Sequence, residues 1–315
     1  MINKVIEAIK EAELHGLSIE KKSNVLSGFS GNKLVGSLQK IAALYEEDQE
    51  VCYLEVGVFQ GLTLLSVASS CSKIHCYGID DFTYFDPDGK NLSIVEQRAQ
   101  KLGINNKFLV NEDYEDALES LDKHISNKKI GLYFVDGPHD YRSQLMCLEL
   151  ALPYLHKDSV IVVDDCNYPH VRQANRDFLV THPEFKLVFE AYTKCHPKNM
   201  SSHDEFKVRE GWWDGVNIIV RDTKNILKPM YPPTERNRLL YEHEHIVHAS
   251  RVAEAAPQVL KTLGYIYSGN FLKTVKSLAG IYRDYRKNRH KYRDRFDNMN
   301  TFSENLPESR YNASL

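Results

Sequence analysis

Five short apolar runs in this chain each end in or just before a carboxylate, and helix-like segments separate them. The runs are Val51–Glu55, Lys73–Ile79, Lys107–Val110, Ile130–Val135 and Ser159–Val163. The acids are Glu55, Asp80-Asp81, Glu112-Asp113, Asp136 and Asp164-Asp165. Strand and helix in alternation predict an α/β fold, a doubly wound, mostly parallel sheet with helices on both faces. Parallel strands bring their C-terminal ends to one edge, so these acids should converge on one crevice. Carboxylates packed that closely repel one another. The crevice therefore calls for a cation or a cluster of hydrogen-bond donors.

The first run leads into LEVGVFQG, Leu54–Gly61, and then into a helix-like stretch, Leu62–Ala68. Gly57 lets the chain turn where a Cβ would clash, and Gly61 lets the helix start lie close to a ligand. The spacing is E-x-G-x-x-x-G rather than the G-x-G-x-x-G of dinucleotide folds. A carboxylate beside that turn would repel a pyrophosphate but could accept hydrogen bonds from a cationic amine. Asp80, at the end of the second strand, is placed to accept both ribose hydroxyls of an adenosine ligand, with Asp81 the competing choice. That contact also occurs with NAD, which Glu55 and the glycine spacing disfavour. Asp113 lies either near an adenine amino group or on a solvated turn.

The most specific stretch is YFVDGPHDYRSQLMCLELALPYL, Tyr133–Leu155, followed by SVIVVDDCNYPHV, Ser159–Val171. Together with the first motif, Asp-Gly-x-His-x-Tyr and a later strand ending in Asp-Asp resemble class I S-adenosylmethionine-dependent methyltransferases. The resemblance is to the branch that includes macrolide-sugar O-methyltransferases and, more distantly, catechol O-methyltransferases. It runs from about Gln49 to Asp222. It implies a seven-stranded Rossmann-like methyltransferase sheet, with cofactor contacts at Glu55, Gly57, Gly61, Thr63, Asp80, Asp113 and Asp136. It also implies a metal site, Mg²⁺ in relatives, at Asp136, Asp164 and Asp165. Three oxygen ligands from adjacent strand ends suit a hard cation, which would lower the pKa of an attacking hydroxyl. Catechol enzymes carry an amide where this chain has Asp165. The competing reading is that Asp164-Asp165 cap a turn. His139 is a candidate general base alongside Asp136, or it fixes the loop through Asp164. Tyr141 packs.

The implied activity is O-methylation of a hydroxyl on a small molecule, sugar or glycan, with S-adenosylmethionine as donor. Alternatives are a metal-dependent enzyme resembling the cephalosporin hydroxylase proteins, or a non-catalytic cofactor-binding scaffold. Methyl transfer needs alignment and water exclusion rather than a covalent nucleophile. The absence of a Ser-His-Asp or Cys-His pattern agrees with that.

Around this core, residues 1–48 read as a helical or lid segment and 49–222 as the methyltransferase domain. Residues 223–233 read as a proline-marked linker and 234–315 as a charged helical extension. Apolar stripes at Val5, Ile6, Ile9 and at Leu34, Leu38, Ile41, Ala42, Tyr45 predict two N-terminal helices. Ser27–Lys33 between them is a connector or a lid over the cofactor mouth. Phe185–Tyr192 and Gly215–Arg221 predict an antiparallel hairpin that closes the sheet. The segment between, with KCHPKNMSSHDE, reads as irregular, and Trp212-Trp213 as shielding for the site. Specificity is expected from Phe82–Asn91, Lys194–Trp213 and the N-terminal loop.

EHEHIVH, Glu242–His248, reads as a solvated helix face rather than a metal cluster. The basic run Tyr282–Arg295 reads first as a subunit contact, which makes a homo-oligomer expected, and second as a contact with an anionic surface. The last dozen residues read as disordered. The formal net charge of −3 over 315 residues disfavours nucleic acid as a partner. Six scattered cysteines without C-x-x-C, a charged N-terminus and no apolar run of ~20 residues point to the cytoplasm.

Overall fold

The computed structural model describes residues 1–17, 25–83, 85–194, 196–197, 200–234, 256–293 and 306–314. The Glu242–His248 stretch lies outside the described residues. Strands β1 (Val51–Val56), β2 (His75–Ile79), β3 (Lys107–Val110), β4 (Lys129–Val135) and β5 (Leu155–Val163) pair in parallel. Strands β6 (Phe185–Ala191) and β7 (Val216–Arg221) add antiparallel to that set. An eighth strand, β8 (Ser309–Tyr311), completes the order β3-β2-β1-β4-β5-β7-β6-β8.

Every residue of β1 is buried, because helices cover both faces of the sheet. Tyr53 joins one hydrophobic layer while Cys52, Leu54 and Val56 join the other, as the two-residue period of a strand requires. The first layer takes up helices α1 (Ile2–His15), α2 (Asn32–Ala43), α3 (Leu62–Ser70) and α4 (Asn91–Leu102). Their stripes Val5, Ile9, Leu34, Leu38 and Ile41 are fully buried, as the apolar spacing predicts. The second layer takes up α5 (Tyr114–Glu119), α6 (Asp122–Ile125), α7 (Tyr141–Ala151) and α8 (Pro169–Thr181). All five described cysteines are buried and free.

Two sequence expectations are corrected. The polar segment before Trp212 contains a helix, α9 (Ser202–Glu210). It has no buried residue, so no apolar stripe marks it; the Ser201 hydroxyl starts it by accepting from Asp204 N. The C-terminal end is ordered rather than disordered, and it makes the sheet eight-stranded instead of seven. β8 pairs with β6, and Asn312 Nδ2 donates to the carbonyls of Leu187 and Lys228 at 2.9 Å each. Replacing the buried Asn312 by alanine strands both carbonyls, so unfolding stability should fall by roughly 1–3 kcal/mol in a urea titration. An unchanged midpoint would show that this end contributes nothing to the fold.

The remaining elements are α10 (Ala256–Tyr267) and α11 (Phe271–Arg293), a helical hairpin. No described helix is long and apolar enough to cross a membrane.

Candidate active site

The ends of β1, β2, β4 and β5 meet at the glycine turn. Gly57 has φ 91°, and a Cβ there would fall on the Asp136 carbonyl, so the β1 turn and the β4 end are pressed together. Gly57 N donates to Ile79 O, and Asp136 N donates to Val56 O, both at 2.9 Å. Gly61, φ 79°, is the residue from which α3 starts.

Asp80 fastens this turn. Its Oδ2 accepts from Val58 N and Phe59 N at 2.7 Å each, and its Oδ1 accepts from Phe82 N at 2.6 Å. A carboxylate offers about four acceptor sites, so room for a further donor remains. Asp81 turns away to Thr83, whose N and Oγ1 both donate to its Oδ1. Asp113 caps α5 by accepting from Glu115 N at 2.8 Å.

Glu55 points inward. It is fully buried, and its two oxygens accept from Tyr53 OH at 2.5 Å and Thr63 Oγ1 at 2.7 Å. Tyr53 and Glu55 share a strand face, a direction already implied by the two-residue period. Thr63 is thus bonded to Glu55 rather than aimed at the turn. Burial raises the Glu55 carboxyl to about 8, against the lowering effect of its two hydroxyl partners.

A pH effect follows. Unfolded, Glu55 titrates near 4.5; folded, near 8, so the folded state holds the proton more tightly between those values. Stability of the ligand-free protein is therefore highest below about pH 4.5 as far as this group is concerned. It is lost as pH rises, with the full loss, on the order of 5 kcal/mol, reached above pH 8. Thermal midpoints of wild type and Glu55→Gln between pH 5 and pH 9 should diverge, the wild type falling more steeply. Parallel curves would contradict the assignment.

Asp136, Asp164 and Asp165 lie together. Burial, then the charges of Asp164 and Asp165, push the Asp136 carboxyl well above the usual carboxylate range. Burial and Asp165 do the same to Asp164. Asp136, His139 and Asp165 each offer one ligand atom, and these atoms lie within 4.8 Å of one another. His139 Nε2 sits 2.9 Å from Asp165 Oδ2, and its ring stacks on Tyr168 at 5.2 Å. Asp164 is outside that group; its Oδ1 accepts from Asp165 N at 2.8 Å. The left-handed φ of Asp165, 53°, breaks the strand alternation and redirects the second acid of the pair. Such a backbone is uncommon outside glycine and tends to mark functional positions. Thus the structure brings His139 to Asp165, where the sequence pointed to Asp164. Tyr141 OH donates to Asp177 on α8, a packing role.

A buried polar network, not apparent from the sequence, holds the β5 turn in place. Arg172 Nη1 donates to the carbonyls of Cys166 and Asn167, and Nε donates to Pro233 O. Asn167 Nδ2 reaches Thr193 O at 2.9 Å, and Asn175 Nδ2 reaches Asn217 Oδ1 at 3.0 Å.

An aromatic rim surrounds the glycine turn. Phe59 stacks on Phe29 at 5.5 Å and meets Phe85 edge-on at 6.5 Å; Phe29 also approaches Trp213 at 6.3 Å. Phe59, Phe85 and Trp213 all have positive φ, a strained state for bulky side chains. Arg98 links the N-terminal loop to the turn, donating to Ser27 O and Gln60 O. Lys33 N donates to Gly211 O, so the start of α2 also joins the segment before β7.

Residues 54–166, which span all these acids, match the family described as a methyltransferase domain. The chain is similar to uncharacterized protein R132 of Acanthamoeba polyphaga mimivirus, 26% identical over 128 residues, or 41% of this chain and 57% of that protein. It thus spans little more than half the length of that curated relative. Similar solved structures include an O-methyltransferase from Bacillus cereus in complex with SAH, at 14% identity and a TM-score of 0.43. That match covers 70% of this chain and 90% of the other. Another is the O-methyltransferase TomG from Streptomyces achromogenes, at 15% identity and a TM-score of 0.43, covering 70% and 88%.

Proposed function

We propose that the chain, whose residues 54–166 match a methyltransferase domain, is a class I S-adenosylmethionine-dependent methyltransferase that methylates a hydroxyl of a small molecule, sugar or glycan. The observation that carries this reading is the convergence of Asp136, His139 and Asp165 beside the Gly57 turn, inside the matched domain. S-adenosylmethionine supplies an electrophilic methyl on a positively charged sulfur, which an acid-lined crevice favours. The Gly57–Gly61 turn takes the methionine part of that donor, and the remaining acceptor capacity of Asp80 serves its ribose.

Asp136, His139 and Asp165 fit a divalent cation. Two carboxylates suit Mg²⁺ or Mn²⁺, and the imidazole extends the fit to Zn²⁺ and Fe²⁺. Such an ion would polarise the acceptor hydroxyl and orient it. Mutual repulsion among the acids supports the fit: burial and the neighbouring carboxylates raise the Asp136 carboxyl, and a bound cation would relieve that repulsion. With its Nε2 on Asp165 and its ring on Tyr168, His139 accepts the hydroxyl proton at Nδ1 where the two carboxylates hold the ion; an imidazole that ligates the ion has no lone pair left for that step. Phe29, Phe59, Phe85 and Trp213 exclude water from the transfer and form the wall against which the acceptor lies. The cytoplasm, where the donor is made and used, is the compartment this reading requires.

The test is release of labelled methyl from the donor to a panel of catechols, sugars and glycosides, with Mg²⁺, Mn²⁺ or chelator. Turnover that chelator abolishes and metal restores is expected. Turnover indifferent to chelator removes the metal from the reading. Donor binding without transfer to any acceptor favours the scaffold alternative.

A further inference from the structure

The hairpin of α10 and α11 is built inside out. Among its described side chains the buried one is a hydroxyl, Thr262, which meets Ser277 Oγ at 2.7 Å across the seam. The half-buried described residues within α11 are Thr274, Ser277, Gly280 and one large apolar residue, Ile281. Most of the large apolar residues are exposed: Leu260, Leu263, Ile266 and Tyr267 on α10, and Phe271, Leu272, Val275 and Leu278 on α11. At the tip, Tyr267 is 96%, Phe271 75% and Leu272 82% exposed. Water selects the opposite arrangement, with the apolar stripe inward. Helices that meet through small and hydroxyl residues while presenting large apolar ones outward are the pattern of an apolar surrounding.

The charge is equally one-sided. Residues 256–293 hold nine Lys and Arg and one acid, Asp284, a formal +8 in a chain whose total is −3. Lys261, Lys273, Lys276 and Arg283 are exposed among the apolar residues, and Lys273 Nζ lies 5.8 Å over the Tyr265 ring. Long basic side chains can lay their stems along apolar surface and carry their charge to a headgroup layer.

We propose that this hairpin lies in the surface of an anionic lipid bilayer, its tip and outer apolar residues among the acyl-chain ends and its basic residues against the headgroups. Charge complementarity selects this occupant: two copies of a +8 hairpin repel, whereas an acidic lipid surface attracts each of them. α10 is too short and α11 too charged to span, so the binding is interfacial. The basic run near Tyr282, expected first as a subunit contact, is thereby assigned to a lipid surface.

The test is co-sedimentation of the full chain with vesicles of phosphatidylcholine alone and with vesicles containing phosphatidylserine as about a third of the lipid. Binding to the anionic vesicles should exceed that to neutral ones by about tenfold or more. The variant Leu263→Gln/Tyr267→Gln/Phe271→Gln/Leu272→Gln should lose about tenfold or more. Lys273→Glu/Lys276→Glu/Arg283→Glu should lose the preference for anionic lipid. These side chains are exposed, so circular dichroism and the thermal midpoint of each variant should match wild type. Absence of binding to either vesicle overturns the proposal, as does full binding by the apolar variant. So does a lipid-free dimer that the apolar variant turns into monomer, since a second copy would then cover the face.

Discussion

Replacing Asp136 with asparagine will make the ligand-free protein more stable and its methyl transfer slower by roughly 10²–10³-fold. Both effects have one origin. Asp136 sits among Asp164, Asp165, Glu55 and Asp80, and burial and those charges raise its carboxyl well above the usual carboxylate range. An amide keeps the shape and removes the penalty of ionising there. The gain at pH 8 should be on the order of 1–3 kcal/mol, read as a higher denaturation midpoint. The same change turns an anionic ligand of the group of Asp136, His139 and Asp165 into a neutral amide oxygen, and takes from a crevice proposed to hold a cationic donor a carboxyl that could ionise against it. Binding groups selected for a charged ligand are costly to the empty fold, and this variant separates the two roles. A variant that is both less stable and fully active would contradict the account on each count.

Gly57→Ala should have the largest effect on stability of any single methyl addition in the domain. A Cβ at Gly57 would overlap the Asp136 carbonyl and approach Gly137 N, both backbone atoms that no rotamer change can move. The φ of 91° adds strain for any L side chain. Loss of roughly 3–5 kcal/mol is expected, a large part of the ~5–15 kcal/mol that holds a domain folded. Gly103→Ala is the control. Gly103 also has positive φ, 67°, but its Cβ would meet nothing within 4 Å, so only about 1 kcal/mol of backbone strain should appear. Equal losses in the two variants would mean that the close approach of β1 and β4 does not constrain Gly57.

The parallel sheet was legible because each buried strand needs a continuous apolar run, and five such runs alternate with helical segments. The acids at the strand ends were legible for the same reason: a parallel sheet leaves no other place for them. The inward aim of Glu55 was available from its alternation with Tyr53. The pairing of His139 with Asp165 rather than Asp164 was not, because it depends on one left-handed residue at position 165. Nor was β8, since a three-residue strand exists only by pairing with the distant edge of β6. Helix α9 lacks any apolar stripe, and its start depends on the Ser201 cap. The aromatic rim draws Phe29, Phe59, Phe85 and Trp213 from four separate loops, so no local pattern joins them.

The acid-lined turn is held to be a pocket for a positively charged adenosyl donor, and titration calorimetry with S-adenosylmethionine tests this most directly. One molecule per chain, bound with a Kd on the order of 1–100 μM, is the expected result. Absence of heat at millimolar donor from a protein that unfolds cooperatively would contradict it.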